Sequence, residues 1–159
     1  MKFSTRQDID APIDFVFQRA SDFIGFEKQA LRRGIEVVRA DDLPCNATGM
    51  RWDASFTFRG KARRINAELA KYDGPNTYLI QSVSGGVEAD LTVDFMALSR
   101  AKTRVIVGLD MRPRSLSARL LIQSLKFAKG NLYGRFEARV ERFGKDIEEQ
   151  YNRSMGVRV

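Results

Sequence analysis

Over the first two thirds of the chain, apolar residues alternate with polar ones, which is the pattern of β-strands buried on one face. The alternation is clearest in a segment whose apolar members are Met50, Trp52, Ala54, Phe56 and Phe58. The same reasoning predicts further strands at residues 2–10, 34–39, 61–72, 77–84, 87–97 and 103–111. Several turns between them contain glycine or proline, and short connections predict antiparallel pairing of consecutive strands.

Two short helices are predicted between the first two strands. Pro12 suits the first turn of a helix, where its missing N–H costs nothing, and apolar residues follow it up to Phe17. Asp22 has the side chain of a good N-cap for the second helix, which carries Phe23 and Phe26. Gly34 is expected to end that helix.

After Pro113 the apolar residues recur at spacings of three and four, which indicates one face of a helix. The stripe consists of Leu121, Leu125, Ala128, Leu132, Phe136, Val140, Phe143, Ile147 and Tyr151. It predicts a single long helix over residues 115–151. Gly130 and Gly134 interrupt it, and they predict either a kink or a close approach of the helix backbone to the sheet.

The composition fits one domain spanning residues 1–159, whose last few residues we expect to be flexible. The chain has no histidine and one cysteine, Cys45, so histidine-based catalysis and an intramolecular disulfide are excluded. We therefore assign no metal site, no cofactor and no catalytic residue. The N-terminus lacks an apolar signal segment and no apolar run reaches membrane-spanning length, which predicts a cytoplasmic protein.

The formal net charge of +7 is unevenly distributed. The segment 100–135 contains a single acid, Asp110, and the basic residues Arg100, Lys102, Arg104, Arg112, Arg114, Arg119, Lys126, Lys129 and Arg135. One interpretation is an anionic membrane surface contacted through Arg112, Arg114, Arg119 and Lys126. The alternative is a set of separate solvated faces. Nucleic acid is disfavoured as a partner because few aromatic residues accompany the basic ones.

The order of elements and several short motifs resemble a known superfamily. Residues 9–17 read Ile-Asp-Ala-Pro-Ile-Asp-Phe-Val-Phe, which is similar to an opening motif I-x-A-P-x-x-x-V-F. Further matches are the segment 20–23, Gly49 before the Trp52 strand, and the segment 103–105. Together they resemble the START-like, or Bet v 1-like (SRPBCC), superfamily, which includes polyketide cyclase/dehydratase and lipid-transport proteins.

The resemblance implies an α+β helix-grip fold, in which a curved antiparallel sheet of about six to seven strands wraps around a long C-terminal helix. It also implies a cavity between sheet and helix, where members of the superfamily bind lipids, sterols or polyketides. The residues expected to line this cavity are Trp52, Phe56, Phe58, Ile65, Gln81, Leu91, Val93, Phe95, Val105, Val107, Leu125, Leu132 and Phe136.

These observations favour binding of a hydrophobic or amphipathic small molecule, lipid-like or polyketide-like, without catalysis. The alternation places Glu88, Asp90 and Asp94 on the polar face, so no acid pair is expected in the cavity. Two alternatives remain open. One is a cyclase- or dehydratase-like enzyme, which an ionisable pair inside the cavity would favour. The other is a membrane-surface or protein-interaction module with a closed interior.

Overall fold

Seven strands form one antiparallel sheet in the computed structural model, which describes residues 1–156. They are β1 (Lys2–Ile9), β2 (Glu36–Arg39), β3 (Arg51–Phe58), β4 (Lys61–Asp73), β5 (Thr77–Ser84), β6 (Val87–Ser99) and β7 (Lys102–Pro113). Their order across the sheet is β1-β7-β6-β5-β4-β3-β2. The predicted α+β helix-grip architecture is confirmed. The expected flexibility of the last few residues falls on residues 157–159, outside the described part.

Two short helices follow β1, as predicted: α1 (Ile13–Ala20) and α2 (Phe23–Arg32). Pro12 directly precedes α1. The carboxylate of Asp22 accepts a 3.1 Å hydrogen bond from the backbone N–H of Gly25, so it caps α2 as expected. None of the helices in residues 1–156 combines the length and the apolar character needed to cross a membrane.

The predicted long C-terminal helix is confirmed, but its predicted start at residue 115 is wrong. The segment forms two helices, α3 (Leu116–Lys126) and α4 (Lys129–Ser154), separated at Phe127 and Ala128. The two helices contact neighbouring strands: α3 packs on β7, whereas α4 packs on β1. Gly130 and Gly134 lie inside α4, where an added Cβ would meet no atom within 4 Å.

The close backbone approach predicted for this helix occurs at a different glycine. A Cβ at Gly144 would lie 2.7 Å from Cγ of Gln7 and 3.3 Å from Cγ1 of Ile9. Gly144 and Ile147 are both buried. The C-terminal half of α4 is thus held tightly against β1.

The hydrophobic core lies at one end of the sheet, under α1 and α2. Val93, Phe95 and Val105 are buried there together with Ile147, and the rings of Phe17 and Phe95 are 5.0 Å apart. This end is filled by the protein's own side chains.

The two motifs that carry the superfamily resemblance meet in this core. The hydroxyl of Thr103 donates a 2.8 Å hydrogen bond to the carbonyl oxygen of Ala11. Both residues are fully buried. The bond ties the start of β7 to the turn between β1 and α1, so both motifs maintain the same junction.

Candidate functional site

The concave face of the sheet is not covered evenly. At the core end its inward residues, such as Leu69 and Tyr78, are buried. Further along the same strands the inward residues are only half-buried: Ala54, Phe56, Ile65, Ile80, Leu91, Val107 and Leu109. A filled interior would bury these positions as well. The concave face is therefore less completely covered towards the end that carries the β3–β4 and β5–β6 turns, and we refer to this partly covered stretch as the hollow.

An apolar pocket of about 200 Å³ lies where this hollow meets α2. Within residues 1–156 its lining is apolar except for Glu27, and it consists of Phe23, Phe26, Glu27, Val37, Trp52, Ala67 and Ile80. The three α2 residues are spaced at three and four positions, so they share one side of the helix. The strand residues come from the inward faces of β2, β3, β4 and β5.

Glu27 is held in place by two neighbours. Its Oε1 accepts a 2.7 Å hydrogen bond from the indole N–H of Trp52. The guanidinium of Arg39 lies 3.5 Å from the same oxygen and 5.8 Å from the centre of the Trp52 ring. Trp52 and Arg39 are paired in register across β3 and β2. The carboxylate is therefore fixed at the edge of an otherwise apolar pocket.

A second carboxylate, Asp41, shares Arg39 with Glu27. Its Oδ2 accepts a 2.7 Å hydrogen bond from Nε of Arg39 and another from the backbone N–H of Arg51. Burial raises the pKa of Asp41, but hydrogen bonds from Arg51, Arg39 and Leu43 outweigh it and bring the pKa to about 2. Asp41 is charged at neutral pH, so two carboxylates share a single guanidinium at this corner.

The structure distributes the predicted lining residues over several places. Trp52 lines the pocket, and Phe56, Ile65, Leu91 and Val107 lie on the half-buried concave face. Leu125 and Leu132 are half-buried on the helices. Val93, Phe95 and Val105 belong to the filled core instead. Phe136 packs against Phe3, with ring centres 5.9 Å apart.

Phe58 lies at the tip of the β3–β4 hairpin, partly exposed to solvent. The guanidinium carbons of Arg59 and Arg63 each lie 5.4 Å from its ring centre. Phe58 is thus at the outer end of the hollow, between two cations, rather than inside the apolar pocket.

The expectation that Gln81 lines the cavity is wrong. Gln81 pairs with Glu68 and Asp90 on the outer face of the sheet and is exposed. Tyr78 and Ile80 take the inward positions of β5. Gln81 lies beside a shallow outer depression of about 510 Å³ whose lining includes Arg51, Asp53, Asn66 and Glu68.

Sequence reasoning missed Glu27. A signal was present, because Glu27 lies four residues after Phe23 and directly after Phe26, which are both inward. A charged residue at that position of an amphipathic helix faces its apolar side. Glu88, Asp90 and Asp94 lie on the outer face of the sheet, as the alternation predicted, where they pair with residues of β5 and β7.

Two of the four basic residues expected to contact a membrane form ion pairs with acidic side chains of the protein. Arg112 lies 3.1 Å from Asp110 and 3.2 Å from Asp90, and Arg114 lies 2.8 Å from Glu88. These contacts belong to the outer face of β6 and β7. Arg119 and Lys126, in contrast, are exposed on α3.

Neither a protein-family model nor a curated protein matches the chain. Solved structures do match. An aromatase/cyclase from Streptomyces sp. R1128 is 10% identical with a TM-score of 0.65, covering 94% of both chains. Norcoclaurine synthase from Thalictrum flavum, in complex with dopamine and hydroxybenzaldehyde, is 14% identical with a TM-score of 0.64, covering 94% of this chain and 87% of the other.

A START superfamily protein from Mycobacterium smegmatis is also similar, with 14% identity and a TM-score of 0.54 over 86% of this chain and 97% of the other. At these identities the shared property is the fold. The element order, the single curved sheet and these neighbours agree with the resemblance seen in the sequence. The protein has the helix-grip fold of the START-like, Bet v 1-like (SRPBCC) superfamily.

Proposed function

We propose that the protein binds a hydrophobic or amphipathic small molecule between the concave face of the sheet and the helices. The observation that carries this proposal is the contrast in burial along the same strands. Leu69 and Tyr78 are buried at one end, whereas Phe56 and Ile65 are half-buried at the other. A folded domain without a ligand gains little by leaving such apolar residues open to water.

The pocket beside α2 accounts for part of the binding surface. Its volume of about 200 Å³ lies below the roughly 300–1,000 Å³ of typical ligand pockets. The ligand therefore extends from this pocket onto the half-buried residues of β3, β4 and β5. The aromatic rings of Phe23, Phe26 and Trp52 supply the wall at the deep end.

Glu27 favours a ligand that carries a hydrogen-bond donor. Its carboxylate accepts hydrogen bonds and donates none when ionised. With Asp41 and Arg39 it makes a corner of two negative charges and one positive charge. A hydroxyl or amine on the ligand is favoured there, whereas the carboxylate of a fatty acid is repelled.

Native mass spectrometry of protein purified without detergent, followed by thermal unfolding with a panel of hydrophobic ligands, tests the proposal. A ligand present at a hundred times its Kd adds about 2.7 kcal/mol to the unfolding free energy, so a binder raises the midpoint measurably. The matched variants are Ala67→Phe, which fills the pocket, and Ala62→Phe, on the outward face of the same strand.

We expect Ala67→Phe to abolish the ligand-induced shift and Ala62→Phe to retain it. Circular dichroism checks that both variants fold. The proposal is wrong if no ligand of the panel shifts the midpoint and no ligand co-purifies. It is also wrong if Ala67→Phe and Ala62→Phe bind equally well.

A cyclase- or dehydratase-like activity is the second candidate, and Glu27 is the observation that favours it. A carboxylate in an apolar pocket is a suitable general base or acid. Its partner Arg39 only donates hydrogen bonds, so Glu27 is the group of the pair that would exchange a proton with a ligand. Incubation of a bound ligand with wild type and Glu27→Gln distinguishes the candidates: a product of altered mass formed only by wild type indicates catalysis, and an unchanged ligand indicates binding alone.

A further inference from the structure

Helix α3 has apolar residues on two opposite sides. Ala118 and Ile122 are buried on the side that faces the protein. Leu116, Leu120 and Phe127 are exposed by 75%, 60% and 94%. They are separated by four and seven residues, close to one and two turns of a helix, so they form a single outward stripe. An exposed phenylalanine and two exposed leucines in one row are unusual for a solvated surface.

The charge beside this stripe is uniformly positive. Arg119 and Lys126 flank it on α3, and Lys129 begins α4. The sequence contains no acidic residue from position 111 to position 136. Within residues 1–156, none of these three cations forms an ion pair with a carboxylate, in contrast to Arg112 and Arg114.

The tip of the β3–β4 hairpin extends the same surface. A guanidinium nitrogen of Arg59 donates a 3.2 Å hydrogen bond to the hydroxyl of Ser124 on α3. Phe58 and Arg63 adjoin Arg59 at this tip. The sequence between positions 54 and 66 also lacks acidic residues. Two separate parts of the chain therefore place apolar side chains and cations side by side.

This surface lies at the open end of the hollow. The backbone N–H of Arg114 donates a 2.7 Å hydrogen bond to the carbonyl oxygen of Gly86 in the β5–β6 turn, just before α3 begins. From there α3 runs to the β3–β4 tip at Arg59. Both turns are at the end of the sheet opposite the core, so α3 crosses the mouth of the hollow.

We propose that the outward stripe of α3, together with the β3–β4 tip, docks on an anionic lipid bilayer. Leu116, Leu120 and Phe127 enter the acyl boundary, and the cations contact the lipid headgroups. The positive charge argues against a second copy as the occupant, because two such faces would repel each other. The aliphatic residues argue against nucleic acid, which uses aromatic rings for stacking.

Co-sedimentation of the full chain with lipid vesicles tests whether this surface binds a bilayer. The vesicles contain phosphatidylcholine alone or an equal mixture of phosphatidylcholine and phosphatidylglycerol, at about 0.05 M and about 0.5 M salt. We expect binding to the anionic vesicles at low salt, weaker binding at high salt, and little binding to phosphatidylcholine. A variant with Arg119→Gln, Lys126→Gln and Lys129→Gln is expected to bind about a hundredfold more weakly, since each cation near the surface contributes roughly fivefold.

A second variant, Leu120→Ser with Phe127→Ser, removes the apolar contact and is expected to weaken binding by at least about tenfold. The matched control is Ile24→Ser with Leu31→Ser on α2, where both residues are similarly exposed, by 56% and 57%. The charge control is Lys28→Gln and Arg32→Gln on the same helix, with Arg33→Gln directly after it. All substituted side chains are exposed, and thermal unfolding verifies that the variants fold.

Three results would overturn the proposal that this surface docks on a bilayer. The first is no binding to anionic vesicles at low salt. The second is binding that the α3 variants and the α2 controls reduce equally. The third is a dimer in size-exclusion chromatography that the Leu120 and Phe127 substitutions disperse, with vesicle binding unaffected. The ligand-binding assays above contain no bilayer, so their outcome is independent of this one.

Discussion

The indole N–H of Trp52 donates a 2.7 Å hydrogen bond to the carboxylate of Glu27, which joins β3 to α2 in the wall of the pocket. Trp52 is buried, so its N–H has few other acceptors within reach. The contact fixes both the orientation of the indole and the position of the carboxylate. Trp52 is also the chain's single tryptophan, so tryptophan fluorescence reports on the surroundings of this one indole.

Removing the acceptor in this contact should destabilise the fold. For Glu27→Ala we expect a loss of about 1–2 kcal/mol in the free energy of unfolding, because the indole N–H is left without its partner. Glu27→Gln keeps an oxygen in place and should cost less. Urea unfolding followed by Trp52 fluorescence measures both, with Glu36→Gln on the exposed face of β2 as control. Equal losses for the alanine and glutamine variants would contradict this role of the oxygen.

The depressed pKa of Asp41 predicts an acid-dependent stability. Its folded pKa of about 2 lies below the ordinary value of 3.8. The stabilisation from its ionised form is therefore complete above about pH 4 and is lost as the pH falls towards 2. Asp41→Asn should be less stable than wild type at pH 7, with the difference shrinking over that range.

Denaturant unfolding at a series of pH values checks the Asp41 prediction. Asp42→Asn is the neighbouring control, since Asp42 is exposed. A difference between Asp41→Asn and wild type that stays constant from pH 7 to about pH 2 would show that the charge of Asp41 contributes nothing.

Two glycines of α4 should respond oppositely to alanine. At Gly144 the new Cβ would lie 2.7 Å from Cγ of Gln7, and we expect a destabilisation of about 1–3 kcal/mol. At Gly134 no atom lies within 4 Å, so Gly134→Ala should stabilise the helix by up to about 1 kcal/mol. Thermal unfolding compares the two variants. The same sign for both would contradict the packing described for α4.

The buried hydroxyl of Tyr78 should contribute more to the free energy of unfolding than the hydroxyl of an exposed tyrosine. It donates a 2.8 Å hydrogen bond to the carbonyl oxygen of Ala20, and burial raises the pKa of Tyr78, so it stays a neutral donor. Tyr78→Phe should cost about 1–2 kcal/mol because the carbonyl of Ala20 loses its partner.

The control for Tyr78 is Tyr133→Phe, which removes an equally long but exposed hydrogen bond to the carbonyl oxygen of Ser4. Water can replace that bond, so its loss should cost much less. Urea unfolding of both variants gives the comparison. An equal cost would mean that burial adds nothing to the Tyr78 contact.

Local sequence signals predicted much of this fold. The cap at Asp22 and the glycine-containing turn between the predicted strands 77–84 and 87–97 depend on neighbouring residues only, and both occur where expected. Local signals do not predict which side of β5 faces the core. Leu79 and Val83 form an apolar alternation on one side of the strand, and Tyr78 and Ile80 lie on the other. Pairing with the neighbouring strands decides between the two sides.

The helix break and the role of Glu27 were hidden for related reasons. The apolar spacing continues from Leu125 through Ala128 to Leu132, so periodicity gives no sign that two helices meet there. The spacing of Glu27 from Phe23 and Phe26 indicates an inward position, but its hydrogen-bond partner Trp52 is distant in sequence. Both features depend on which parts of the chain meet in space, which hydrophobic patterning leaves open.

The break at Phe127 and Ala128 has a geometric consequence for the hollow. Gly144 and Ile147 hold α4 against β1, and α3 is attached at the opposite end of the sheet. The width of the opening therefore depends on this joint together with the hydrogen bonds that hold α3 to the β5–β6 turn and to Arg59.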